Sequence, residues 1–200
     1  MPTLAPTPKG VATRDLIVER AYQQVRQGGF EGLSIGGVAS AVSMSKSGVF
    51  AHFGSREDLQ LAVLEASVQH FTQTVFLPAL RERRGLPRLH SIMRRSLEWM
   101  SGENGGCPMV SAAIEYDDRP GPIRDAVAGY QKRLRSELVK AIRMAIDSGE
   151  LRSDTDAEQL AFEFFAIELA VHHDSRLFDE GGAVERGLRS LDRLLASAGT

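Results

Sequence analysis

A single cysteine and a single tryptophan stand in a chain of 200 residues. One thiol closes no intramolecular disulfide and by itself supplies no Cys-based zinc site. Neither charge is in excess: 24 Lys and Arg face 26 Asp and Glu, for a net charge of −2. A polyanion-binding reading must therefore rest on where individual charges sit, because the total gives no pointer. Long apolar runs are missing too. The longest stretch free of Asp, Glu, Lys and Arg, Ala66 to Leu80, contains Gln, His and Thr. It is shorter than the roughly 20 apolar residues of a membrane helix. The opening Met-Pro-Thr-Leu-Ala-Pro-Thr-Pro has neither the basic start nor the apolar core of a secretory signal, so a cytoplasmic chain is expected. No segment sustains the alternation of a strand, and no repeat recurs.

What is present is helical periodicity. Residues 1–9, with three prolines, are expected to form a disordered tail. From Thr13, the candidate cap, Ile17, Ala21 and Val25 recur every four residues until Gly28-Gly29. A second short pattern starts at Ser34 and carries Ile35, Val38, Ala39 and Val42; a third, Lys46 to Phe53, follows the break Ser43-Met44-Ser45. Two short helices separated by about three residues suit a helix-turn-helix. Ser55-Arg56-Glu57-Asp58 is a capping box opening a helix expected to end or bend at Pro78. Five further helices are expected. They lie around Leu86–Met100, from Cys107-Pro108 to Ile114 or Tyr116, over Ile123–Asp147, over Ala157–Leu177 behind a second capping box at Thr155, and around Val184–Leu195. The predicted fold is all-α, about nine helices, with a helix-turn-helix domain at 10–58 and a helical effector-binding and dimerisation domain at 59–200. Ala157–Leu177 is apolar almost all round, which predicts burial on several sides.

The second helix of a helix-turn-helix enters the DNA major groove by its first turn. Here that turn reads Ser45-Lys46-Ser47-Gly48, small residues that allow close backbone approach around one cation for a phosphate or a guanine edge. Phe50 and His52 are placed for sugar-phosphate or a thymine methyl, and Arg56 for a flanking phosphate. At these residues the chain resembles the tetracycline-repressor family. The likeness covers Thr13 to about Ala66 and rests on Ser34-Ile35, Val38-Ala39, Ala41, Ser43-Met44-Ser45-Lys46, Phe50, His52-Phe53 and Ser55-Arg56-Glu57-Asp58-Leu59. Ser43 stands where the family's turn usually has Gly, and Gly36-Gly37 replaces more polar residues, which leaves Ser34 as the candidate DNA contact of that helix.

The resemblance implies a homodimer whose two heads read a palindromic operator in double-stranded DNA. Its interface would be a four-helix bundle from residues 123–147 and 157–177. It also implies a helical body that binds a small-molecule effector and releases the operator, the action of a repressor. Candidate effector-site residues are Met93, Leu97, Trp99, Met100, Cys107, Phe162, Phe165 and His172, a soft apolar wall that would serve equally as core. Neither metal nor cofactor is expected: His172 and His173 point about 100° apart on a helix, and no ligand spacing accompanies them. No Gly-x-Ser-x-Gly, phosphate-cradling or dinucleotide glycine motif occurs, so an enzyme is not expected. Two other classes stay open on the residues alone, a small-molecule enzyme using Cys107 and an all-α protein-interaction adaptor.

Overall fold

The computed structural model describes residues 8–101, 106–178 and 181–199. Among these the architecture is all-α: nine helices, no strand, and one isolated bridge between Leu151 and Gly199. The order is α1 (Pro8–Gly28), α2 (Ile35–Ala41), α3 (Lys46–Phe53), α4 (Arg56–Phe71, continued by a π-helical turn Thr72–Phe76 and a last α turn Leu77–Ala79), α5 (Leu86–Met100), α6 (Pro108–Tyr116), α7 (Pro122–Asp147), α8 (Ala157–Leu177) and α9 (Ala183–Ala198).

Three expectations shift. Helix α1 begins at Pro8, ahead of Thr13; proline suits a first helical turn, and the Thr13 hydroxyl donates to Lys9 O at 2.9 Å from inside the helix. Of the expected tail, residues 1–7 lie outside the described residues. Helix α4 ends at Ala79, one residue past Pro78, and the break in its α geometry, a π-helical turn, comes before the proline at Thr72–Phe76. The cap of α8 is Asp156, one residue after Thr155: its carboxylate accepts from Glu158 N and Gln159 N, both at 3.0 Å.

Two cores form. Around the first, α1 contributes Ile17, Ala21, Tyr22 and Val25, α2 Val38, α3 Val49 and Phe53, and α4 Leu59, Val63 and Leu64. Each short helix buries too little to stand alone, so the three-helix head exists only by mutual packing. Ala112, Ile123 and Val127 of α6 and α7 join the same core, which seats the head on the body. The second core lies among α5, α7, α8 and α9, with Leu89, Met93, Leu97, Ile142, Phe164 and Leu191 fully buried. At about 1.5–3 kcal/mol per buried side chain it dominates the stabilisation of the body. Within one protomer helix α8 is buried on one side, with Phe162, Leu169 and Leu177 exposed.

Candidate nucleic-acid interface and effector cavity

Helix α2 closes by the paired hydrogen bonds of a left-handed helix end: Ser43 N donates to Ser40 O at 3.2 Å and Met44 N to Ala39 O at 2.9 Å. Ser43 takes φ +54°, the conformation for which glycine is usual at this point of the turn. Ser45 then caps α3, its Oγ accepting from Gly48 N at 3.1 Å and lying 3.0 Å from Ser47 Oγ. Ser34 does the same for α2 through Gly37 N at 3.0 Å. The hydroxyls of Ser34 and Ser45 are thus engaged in holding the two helix starts that frame the turn.

The glycine pair in α2 has a structural reason. A Cβ at Gly36 would fall 2.9 Å from Lys46 Cε, so the bare backbone there is the bed on which the Lys46 stem lies. A Cβ at Gly37 would fall 3.0 Å from the capping Ser34 Oγ. Lys46 and Ser47 are exposed at the first turn of α3, and Gly48 is half-buried behind them. Phe50 is 44% exposed although its neighbours Val49 and Phe53 are core, and His52 is half-buried. Such a ring facing water contributes little to packing. Arg56 has partners within the head: its Nη2 donates to Phe30 O at 3.0 Å and Glu31 O at 2.9 Å, which ties α4 to the α1–α2 turn.

In the body a cavity of about 360 Å³ opens among α4, α5, α6, α7 and α8. The π-helical turn shapes one wall. Residues five apart on an α-helix diverge by about 140°. Across the widened turn Phe71 and Phe76 meet edge-to-face at 5.7 Å, and both line the cavity. Of the residues expected at an effector site, Met100, Cys107 and Phe165 line it. Met93 and Leu97 are fully buried in the second core. Trp99 stands behind the wall, edge-to-face with Phe71 at 5.7 Å. Phe162 is 54% exposed and outside the cavity, since it lies about 120° round α8 from Glu168. His172 is half-buried away from the cavity wall, with its pKa pushed down by burial and by Arg176. Burial pushes the Cys107 thiol up, outweighing the backbone N–H groups of Val110 and Met109 beside it, so the sulfur is held as a thiol and not as a nucleophilic thiolate.

Two features escape a reading of the sequence as an effector wall. Glu168 lines the cavity at 5% exposure, and its burial pushes the carboxyl up to about 8 against a hydrogen bond from Ser96. Its signal in the sequence is an acid on the face that carries Leu160, Ala161, Phe164 and Val171. The second feature is α6. Cys107, Met109 and Val110 at its start line the cavity, and Glu115 at its end accepts from Phe30 N at 3.0 Å and Glu31 N at 2.7 Å. Beside it the Tyr116 hydroxyl accepts from Gln60 Nε2 at 3.0 Å, and Arg119 pairs with Glu31. Gly29, at φ +71°, has no room for a Cβ against the Glu115 carboxylate. One short helix therefore touches both the cavity and the turn that positions the head.

Among the described residues no group of three His, Cys, Asp or Glu could hold a metal ion. Nor is any helix there long and apolar enough to cross a membrane.

Comparison with known proteins agrees with this geometry. Residues 17–63 match the model of bacterial regulatory proteins of the tetR family. Residues 85–191 match that of the tetracyclin repressor-like C-terminal domain. The HTH-type transcriptional repressor AcnR of Corynebacterium glutamicum is 26% identical over 159 residues, 76% of either chain. A TetR transcriptional regulator from Chloroflexus aurantiacus superposes with a TM-score of 0.84 at 23% identity, over 95% of this chain and 96% of that one. AibR, solved in complex with isovaleryl coenzyme A and operator DNA, superposes with a TM-score of 0.69 at 22% identity, over 93% and 97%. The chain belongs to the tetracycline-repressor family: it is a ligand-responsive, DNA-binding regulator of transcription that acts as a homodimer.

Proposed function

We propose that residues 10–58 are the unit that reads DNA and residues 59–200 the unit that senses an effector and dimerises. In this reading α3 enters the major groove by its first turn. Lys46 meets a phosphate or a guanine edge, Ser47 and Gly48 let the backbone approach, and Phe50 and His52 lie against sugar-phosphate. Ser34 and Ser45 act mainly as caps, and Arg56 reaches a phosphate only by sharing its guanidinium with the α1–α2 turn. The exposed apolar side chains of α8, Phe162, Leu169 and Leu177, together with Met144 of α7, support a dimer interface over 123–147 and 157–177. Access to the chromosome puts the protein in the cytoplasm. The buried, protonated thiol of Cys107 speaks against the enzyme alternative.

The observation that carries regulation is the double contact of α6, cavity wall at Cys107–Val110 and head clamp at Glu115. An effector that prefers a displaced α6 shifts the α1–α2 turn and spoils the spacing of the two heads. A differential affinity of about 1–3 kcal/mol changes operator affinity roughly 5- to 150-fold.

Selection from random duplexes with the purified chain tests the reading. An enriched palindrome bound at about 10⁻⁸ M or better supports it, and no enrichment overturns it. On the selected duplex, Lys46→Ala lowers the salt slope by about 1 if the lysine holds phosphate, and relaxes one base position if it reads a base. An unchanged affinity removes Lys46 from the interface.

A further inference from the structure

The inner end of the cavity holds a carboxyl group with no counter-ion. Glu168 is one of four buried polar side chains among the described residues, and no Lys, Arg or His forms an ion pair with it. Its protein partner is the hydroxyl of Ser96, a neutral group. Burying an acid without a base costs folding free energy, and an apolar residue of that size would avoid the cost. The rest of the wall gives the acid a context. Phe71, Phe76, Phe165 and Tyr130 line the same space, and aromatic faces attract cations. Cations of the protein already sit on two of these rings: Arg133 lies 4.6 Å from the Tyr130 centroid at the rim, and Arg135 lies 5.2 Å from that of Phe165. At the rim Arg133 is offset by Glu137 one turn on, so the entrance favours neither sign. A ligand carrying its own carboxylate inward would share the one proton of Glu168 and leave a negative charge without a counter-ion in a site with little water.

We propose that the effector cavity takes a hydrophobic cation, an amine or ammonium compound with an aryl or alkyl body, whose positive end is bound by Glu168 and the surrounding aromatic rings. The assignment rests on the reading of this cavity as the effector site. On binding, the ammonium replaces the proton of Glu168 as the partner of the buried oxygens. Since burial holds that carboxyl at about 8, it carries a proton near pH 7 and releases close to one to the buffer as the cation enters. A neutral ligand that accepts a hydrogen bond from the carboxyl leaves the proton where it is.

Isothermal titration of the full chain with phenylbutylamine and with phenylbutanol, at pH 7 in phosphate and in Tris, separates these cases. The amine is expected to bind about tenfold or more tightly than the alcohol, with an enthalpy that differs between the buffers by close to one proton's ionisation. In Glu168→Gln the preference for the amine collapses to about one, while the alcohol still binds. Retained alcohol binding shows that the variant is folded; should the variant not fold, proton release in the wild-type chain decides alone. Equal binding of both probes without proton release overturns the cation assignment and leaves the cavity reading intact, as does tighter binding of the alcohol. A preference for the amine that survives Glu168→Gln overturns the assignment to Glu168. Binding of neither probe overturns the cavity reading together with the inference.

Discussion

Between Ser34 and Asp58, three helix starts are each capped by a serine that accepts from the backbone amide three residues on: Ser34 from Gly37, Ser45 from Gly48, Ser55 from Asp58. The cavity of the body is assembled differently. Its wall is gathered from five helices, and the residue that carries its chemistry, Glu168, lies far along the chain from Phe71 and Cys107, which share the space. The helix starts of the head are thus specified by local hydrogen bonds of about 1 kcal/mol each, and the cavity wall by apolar burial between distant helices. A local device can be removed without disturbing much else, whereas a distant one fails together with its neighbours. Each region can therefore be broken in a way the other cannot.

The largest effect is expected in the body. Met93 is fully buried in the core among α5, α7, α8 and α9. Met93→Ala leaves a cavity there and should destabilise the chain by about 2–5 kcal/mol, measured by urea unfolding. A loss below about 1 kcal/mol would show that the body repacks, and would remove the contrast with the head.

The junction comes next. Gly29→Ala places a side chain in the left-handed region, at about 1–3 kcal/mol, and drives it into the Glu115 carboxylate. Operator affinity should fall along with melting temperature, because the displaced clamp sets the angle of the head. Adding Glu115→Ala relieves the collision but not the backbone strain. The two substitutions should therefore be non-additive in a double-mutant cycle, and simple additivity would mean that Glu115 does not fill the space above Gly29.

The third effect separates the regions by pH. Glu168 has a carboxyl raised from 4.5 to about 8 by burial. In that window the native chain binds its proton more firmly than the unfolded chain does. The stability it confers is fully present near the low end and is lost as pH rises towards 8. Glu168→Gln removes the titration, so the melting temperature of the variant relative to the wild-type chain should climb between pH 5 and pH 8. A constant difference across that range would mean that the carboxyl is ionised and solvated in the native state.

The same contrast decides what could be read from the residues alone. The head was legible because its determinants are contiguous: turn serines, a capping box and a first turn of small residues can each be seen within four positions. The all-α class and the helix boundaries followed from apolar periodicity, with errors where a competing local interaction won. Thr13 bonds Lys9 from inside α1, and Asp156 caps where Thr155 was expected. The effector wall was only partly legible. Met93 and Met100 lie on one face of α5, and no pattern in the sequence says that the first faces core and the second a cavity. The clamp of Glu115 on Phe30 and Glu31 was not legible, because it joins positions separated by 85 and 84 residues.

The smallest effect on stability should accompany a large one on function. Phe50 is apolar yet substantially exposed, although Val49 and Phe53 of the same helix are buried. Because its ring packs little against the head, Phe50→Ala should change the free energy of unfolding by no more than about 0.5 kcal/mol. If the ring lies against the DNA backbone, operator affinity should drop while the salt slope stays the same, since no phosphate contact by a cation is lost. That combination would distinguish Phe50 from Lys46, whose removal acts on the slope. A melting temperature that falls as far as for a core substitution would instead return Phe50 to the packing of the head. The α3 surface would then rest on its first turn alone.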